Sequence, residues 1–139
     1  MSLEERVDGL PSALLGREAV HADDLAKARV KAEEVHQRVS AAMDRFNSAI
    51  ESALPELMVE VTTPHLDEKH AHAIEFDLIR GRHRGIVIAK SKGEVTLVGP
   101  FKTGKNEGPC RTFPFSEDAE LTDALGDFLE RFLEDATAP

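Results

Sequence analysis

A stretch of 32 residues without glycine or proline, from Asp23 to Leu54, constrains this chain more than any other feature of its sequence. Most of its residues are good helix formers. Asp23 and Asp24 suit a helix N-terminus, where negative charge meets the positive end of the helix dipole. Pro55 follows and ends the stretch. The sequence therefore predicts one long helix over residues 23–54, about 48 Å in length at 1.5 Å per residue.

The apolar residues of this predicted helix recur in alternating steps of three and four. That spacing is the heptad rhythm of helices that pair with other helices. The apolar stripe that these residues form is wider in the second half of the helix, as expected where a helix lies on a sheet. Two interpretations stay open: the whole helix packs on its own domain, or the narrow first half pairs with a second copy. The self-association seam of the second interpretation consists of Leu25, Ala28, Ala32, Val35 and Val39.

The residues before this helix contain Gly9, Pro11 and Gly16, which are expected to interrupt helical structure. The sequence therefore predicts an irregular arm over residues 1–22. We expect this arm to pack on the body of the protein through its leucines.

Beyond the long helix the apolar periodicity changes to two, the spacing of strands with one buried face. Between residues 71 and 80, for example, Ile74, Phe76 and Leu78 alternate with acidic residues. Glycine-containing turns separate the strands that follow. Residues 57–115 are thus predicted to form an antiparallel meander of four to five strands.

Ser116 and the acidic residues after it suit the start of a second helix. Leucines and phenylalanines then follow at helical spacing, which predicts a C-terminal helix over residues 116–136. A long helix, an antiparallel sheet and a closing helix make an α+β fold. We expect both helices on one face of the sheet, in a single domain of 139 residues.

The charge of the chain falls in three blocks, although its formal total is -9. Residues 1–79 carry 8 basic and 16 acidic side chains, residues 80–111 carry 8 and 2, and residues 112–139 carry 1 and 8. A basic segment within an acidic chain indicates a surface for an acidic partner. Its lysines and arginines are Arg80, Arg82, Arg84, Lys90, Lys92, Lys102, Lys105 and Arg111.

Three interpretations of this basic segment remain open. A nucleic-acid surface is expected to interleave its charges with exposed aromatic side chains on which bases stack. The chain has no Trp or Tyr, and the phenylalanines near the segment suit a core equally well. An acidic protein segment is therefore the predicted partner, and nucleic acid is the alternative. The third interpretation is a solvated set of loops balanced by the acidic helices.

No motif in the sequence assembles a catalytic set. The string from Gly99 to Asn106 nearly matches a phosphate-binding loop, but Asn106 replaces the hydroxyl residue that would hold magnesium. The residues that follow, Gly108 and Pro109, do not suit the helix N-terminus that such a loop needs. Cys110 has no histidine near it in the sequence, so no nucleophilic role is predicted. No cofactor is predicted either.

Three histidines, His65, His70 and His72, lie within eight residues. His70 and His72 would share one face of a strand, a spacing that zinc sites on sheets use. The same face continues into the predicted core, so the alternative is a pair of histidines at its rim. We expect no structural metal here, and a metal-dependent enzyme built on these residues is the third functional hypothesis.

An acidic α+β chain with a seam-bearing helix and no catalytic set is typical of a protein–protein interaction module, such as an adaptor or a chaperone-like protein. We expect a non-enzymatic homodimer that binds another protein. No apolar run reaches the ~20 residues of a membrane-spanning helix, and the first residues are too acidic for a signal peptide. A single cysteine cannot form an internal disulfide, so the expected location is the cytoplasm.

Overall fold

The computed structural model describes residues 2–67, 69, 71–104 and 108–135. Its α+β architecture confirms the predicted fold: a long N-terminal helix, an antiparallel sheet and a C-terminal helix. The elements in chain order are α1 (Leu3–Asp8), α2 (Leu10–Ile50), a 3-10 turn (Pro55–Leu57), β1 (Glu60–Val61), β2 (His65–Leu66), β3 (Ala73–Arg80), β4 (His83–Lys90), β5 (Glu94–Lys102), β6 (Cys110–Pro114) and α3 (Asp118–Asp135).

The sheet has six strands, all paired antiparallel, where the sequence predicts four to five. Its order is β1-β3-β4-β5-β6, and β2 also pairs with β3. The additional strand is β2, whereas β1 lies at the start of the predicted meander. Both are two residues long and share the outer edge of β3. A strand of two residues leaves little periodicity in a sequence, which is why the predicted number of strands is lower than the observed number.

Both long helices lie on one face of the sheet and enclose the core. Strand residues that point to this face alternate with residues that point away, as in β3, where Ile74, Phe76 and Leu78 are fully buried. α2 and α3 contribute the opposing apolar side chains. The largest fully buried side chains are Phe76, Phe132, Ile74, Leu78, Leu121, Val35, Val39, Val87 and Val95.

The pairing of β4 with β5 contains a bulge. Ile86 faces Val98, whereas Arg84 faces Phe101, so β5 holds one extra residue between the two pairs. Gly99 lies in this bulge with a φ of +105°, and a Cβ there would come within 2.9 Å of the Arg84 carbonyl oxygen. Because strand side chains alternate between faces, the bulge places Phe101 beside Arg84, on the face away from the helices.

The N-terminal segment corrects one prediction, because it is helical rather than irregular. Pro11 lies in the first turn of α2, where a missing backbone N–H is tolerated, and Gly9 keeps a near-helical backbone between α1 and α2. Gly16 lies inside α2. The segment also does not pack on the body, since every residue from 2 to 20 is exposed. We call residues 3–20 the N-terminal arm.

The arm projects because α2 is longer than the sheet that supports it. α2 has 41 residues and spans about 62 Å at 1.5 Å per residue. The longest strand has 9 residues and spans about 31 Å. α2 first meets the body at His21, so about the first quarter of the helix has no strand beneath it. Within the described residues, no helix combines the length and apolarity needed to cross a membrane.

A charged cluster joins the two helices across the core. Asp118, the first residue of α3, accepts hydrogen bonds from Lys31 Nζ at 2.8 Å and Arg38 Nη1 at 3.1 Å. Glu34 accepts from Arg38 Nη2 at 2.6 Å. The hydrogen bonds from Lys31 and then Arg38 hold the pKa of the Asp118 carboxyl below its usual value. This cluster balances the charge of Lys31, which is only 9% exposed.

Candidate interaction surfaces

The predicted basic segment separates into three places on the sheet. Arg82, Arg84 and Lys102 lie where the β3–β4 turn meets the end of β5. Lys90 and Lys92 lie at the opposite end; seven residues of β4 separate His83 from Lys90, about 24 Å. Arg111 lies on the edge strand β6, and Lys105 lies outside the described residues. The described basic residues therefore do not form one continuous surface.

We call Arg82, His83, Arg84 and Lys102 the basic end of the sheet. His83 pairs with Lys102 across β4 and β5. Thr103 holds the end of β5 to the turn, because its backbone N–H and its Oγ1 donate to the Arg82 carbonyl at 2.7 and 2.9 Å. Arg84 points to the other face, where its Nη1 lies 3.7 Å from Asp77 Oδ2. The basic end is therefore well anchored and carries charge on both faces.

Arg80, expected in the same binding surface, is instead part of the core. It is 6% exposed, its guanidinium carbon lies 5.3 Å from the centroid of the Phe46 ring, and Nη1 donates to the Leu133 carbonyl at 3.3 Å. Within the part of the chain that the structure describes, its Nε and Nη2 have no hydrogen-bond partner, and burial lowers the pKa of the guanidinium. A partner cannot reach this side chain without opening the core.

The five residues of the predicted seam pack within one chain. Ala28 and Ala32 lie against Ile74 and Ala89 of the sheet, with Leu25 partly buried beside them. Val35 and Val39 belong to the main core cluster. The small alanines let the helix approach the sheet closely. A second copy therefore cannot contact this seam, and any surface for self-association would lie elsewhere.

The N-terminal arm carries such an apolar surface. Leu3, Val7, Leu10 and Leu14 are between 52% and 77% exposed. They repeat in steps of four, three and four, so they lie on one side of the helix. Five helical turns take about 18 residues, which is the separation of Leu10 from Ala28 and of Leu14 from Ala32. We call Leu3, Val7, Leu10 and Leu14 the arm stripe. This stripe prolongs the face of α2 that is buried on the sheet.

A cleft of about 350 Å³ lies between α3 and the β6 edge of the sheet. Leu97 of β5 and Ala124 and Phe128 of α3 give it apolar walls. Two arginines line it from different elements, Arg111 on β6 and Arg131 on α3. The other lining residues are Gly99, Pro109, Asp127, Glu130 and Glu134.

The predicted metal and catalytic candidates are dispersed. His65 Nε2 lies 3.6 Å from Glu75 Oε1, and the ring of His72 meets that of His21 edge-on with centroids 5.2 Å apart. His70 lies outside the described residues. Among those described, no three His, Cys, Asp or Glu side chains are grouped to hold a metal ion. Cys110 is an exposed free thiol on β6, and a strand rather than a helix follows the glycine-rich string.

Sequence reasoning missed the arm stripe and Arg131. The spacing of the stripe is visible in the sequence, but the glycines and the proline of the arm obscure it. Arg131 is the one basic residue in an acidic helix, and only the fold places it across from Arg111. The chain matches no protein-family model, no curated protein and no solved structure. What the protein does is therefore inferred from its surfaces.

Proposed function

We propose that the protein is a non-enzymatic protein–protein interaction module that assembles as a homodimer through its N-terminal arm. The arm stripe carries this proposal, since each of its four large apolar side chains is more than half exposed in a single chain. Removing apolar surface from water stabilises a complex by about 25 cal/mol per Å². Continuous exposed apolar surface of this kind marks contact sites.

A second copy fits the arm stripe best in an antiparallel arrangement. With the two-fold axis beside Leu10, Val7 of each copy lies opposite Leu14 of the other, and Glu4 lies opposite Arg17. The contact is then the same on both copies, as a closed two-fold dimer requires. A parallel pair would instead place Glu4, Glu5 and Asp8 near their own counterparts, where like charges repel. Charge therefore favours the antiparallel pair.

An antiparallel dimer leaves the basic end free for an acidic protein partner. His21, beside the arm, contacts the Ala71 carbonyl, whereas Phe46 near the other end of α2 contacts Arg80. The basic end therefore lies on the far side of each body from the dimer contact. We expect Arg82, His83 and Lys102 to meet an acidic partner there, with the cytoplasm as the compartment. Weak dependence of that binding on salt would separate a protein partner from nucleic acid, which gives a steep slope.

Light scattering after gel filtration tests the dimer. At tens of micromolar we expect the wild-type mass to be twice the 15.3 kDa of one chain. Leu14→Asp should give a monomer, because it places a charge in the stripe. Leu15→Asp is the matched control: Leu15 is 71% exposed but points about 100° away from Leu14, so this variant should stay dimeric.

A reversal of charge tests the antiparallel register. Arg17→Glu should weaken the dimer by placing two acidic groups together, and the double variant Glu4→Arg/Arg17→Glu should restore it. A monomeric wild-type protein would refute the proposed dimer. Equal masses for Leu14→Asp and Leu15→Asp would show that the stripe is not the contact.

A further inference from the structure

Strand β6 leaves one edge of the sheet open. On the other side of the sheet β1 and β2 share the edge of β3, whereas β6 pairs with β5 and with no further described strand. The Phe115 N–H donates to the Gly93 carbonyl and the Gly99 N–H to the Pro109 carbonyl, both at 2.8 Å. These two bonds fix which residues of β6 face β5.

Antiparallel pairing alternates between residues that bond to the neighbouring strand and residues that face away. Arg111 and Phe113 therefore bond to β5, whereas Cys110, Thr112 and Pro114 turn their backbone groups outward. The Thr96 and Thr112 hydroxyls, 2.9 Å apart, agree with this, because side chains lie closer in the non-bonded pairs. The open edge thus offers two N–H donors and three carbonyl acceptors.

The side chains of β6 that face the helices lie beside the cleft. Phe113 is buried in the core, and the Arg111 guanidinium carbon lies 5.2 Å from the centroid of its ring. On α3, Arg131 follows Phe128 by three residues and Ala124 by seven, so it projects on the same side as these buried residues. At about 100° per residue, Asp127, Glu130 and Glu134 point further towards the solvent. Among the charged residues of α3 that line the cleft, Arg131 is therefore the one turned most towards the apolar walls.

Among the described residues, no carboxylate lies within ion-pair distance of Arg111 or Arg131. Two guanidinium groups beside apolar walls suit a carboxylate that arrives with an apolar neighbour, since Arg binds carboxylates through paired hydrogen bonds.

We propose that the β6 edge and its cleft bind an extended acidic peptide, which adds to the sheet as a further strand. Its backbone pairs with the outward groups of Cys110, Thr112 and Pro114, as in other complexes formed by strand addition. Every second side chain then faces the cleft, so a Glu or Asp meets the two arginines and an apolar residue lies against Phe113. Pro109 and Pro114 limit the paired segment to about five residues.

The probe for this site is a labelled hexapeptide, Thr-Val-Thr-Glu-Thr-Thr, titrated by fluorescence anisotropy. Its Val and Glu lie two residues apart, so they share one face of the added strand. We expect saturable binding, a loss of about tenfold in affinity for Arg111→Gln and for Arg131→Gln, and no change for Arg82→Gln at the basic end. A peptide with Lys in place of Glu should not bind. Leu14→Asp should bind as the wild type does, because this inference does not depend on the proposed dimer.

Strand addition itself has a separate test. Thr112→Pro removes one outward N–H, and Thr112→Val is its matched control, because both variants lose the hydroxyl that bonds to Thr96 and neither loses a backbone bond to β5. Only the proline variant should lose the peptide. Amide chemical shifts of Cys110 and Thr112 should move on titration of the wild-type protein. The proposal is overturned if the probe peptide does not bind, if Thr-Thr-Val-Glu-Thr-Thr, whose Val and Glu point to opposite faces, binds equally well, or if Arg82→Gln weakens binding as much as Arg111→Gln.

Discussion

At the scale of single residues, Gly85 sets how closely α3 approaches the sheet. A Cβ at this position would come within 2.7 Å of the Phe128 ring tip. Phe128 is buried in the main core cluster, so it cannot move aside without losing packing contacts. Gly126, two residues earlier in α3, has open space where its Cβ would be. A side chain would therefore fit at Gly126 but not at Gly85.

We predict that Gly85→Ala lowers the free energy of unfolding by about 1–3 kcal/mol, because the core must shift to admit the methyl group. Gly126→Ala should raise it by up to about 1 kcal/mol, because alanine favours the helix. Urea denaturation followed by circular dichroism measures both values. A Gly85→Ala protein as stable as the wild type would contradict the close packing of Phe128 on β4.

At the scale of elements, the sequence predicts each long element. It misses the helical structure of the N-terminal arm, where Gly9, Pro11 and Gly16 are tolerated, and it does not determine the parts whose outcome depends on tertiary contacts. The periodicity of two in β3 and of three to four in α3 is confirmed, because one face of each is buried. The α2 stripe is also present, but a heptad rhythm does not reveal whether a helix or a sheet covers it. Here the sheet does, which is why Ala28 and Ala32 lie in the core.

The candidate sites were less predictable than the elements, because tertiary contacts decide which side chains lie together. A run of basic residues along the chain does not reveal which of them share a face or an end of the sheet. Arg80 lies in the core because its position in β3 has the same parity as Leu78. Arg111 and Arg131 lie far apart in the sequence, so their common cleft depends on α3 crossing the β6 edge.

The attachment of α3 to α2 predicts a pH dependence. Asp118 has a lowered pKa in the folded protein, so its contribution to stability is complete above its unfolded pKa of about 3.9 and is lost as the pH falls towards the folded pKa. We predict that Asp118→Asn lowers the free energy of unfolding by about 1 kcal/mol at pH 7, a modest value because the side chain is partly exposed.

Unfolding titrations at several pH values check this prediction. The difference between Asp118→Asn and the wild type should shrink below about pH 4, where the wild-type carboxyl also becomes protonated. Asp123→Asn, an exposed position on the same helix, is the control and should show little difference at any pH. A difference for Asp118→Asn that stays constant down to pH 2 would exclude the ion pairs as its cause.

At the scale of the whole molecule, the arm makes the protein elongated. A compact chain of 139 residues has a radius of gyration of about 14 Å, whereas α2 alone is about 62 Å long. The proposed antiparallel dimer would place the two bodies at opposite ends of the paired arms. Its length from one Ile50 to the other is then about 120 Å at 1.5 Å per residue.

Small-angle X-ray scattering distinguishes these shapes. We predict a maximum dimension of at least about 60 Å for the Leu14→Asp monomer and about 120 Å or more for the wild-type dimer. A parallel pair would keep its two bodies side by side and would be little longer than one chain. A wild-type dimer with the same maximum dimension as the monomer would therefore contradict the antiparallel arrangement.

Because residues 10–20 of the arm belong to the same helix as the part of α2 that packs on the body, the number of residues between them fixes a direction as well as a distance. Two residues inserted near Ala22 would turn the arm stripe by about 200°, to the opposite side of the helix from the core face. Seven inserted residues would nearly complete two turns, leaving the direction within about 20° and lengthening the helix by about 10 Å. An insertion or deletion in this stretch of α2 must therefore be close to a whole number of helical turns if the arm stripe is to stay on the same side of the helix as the core face.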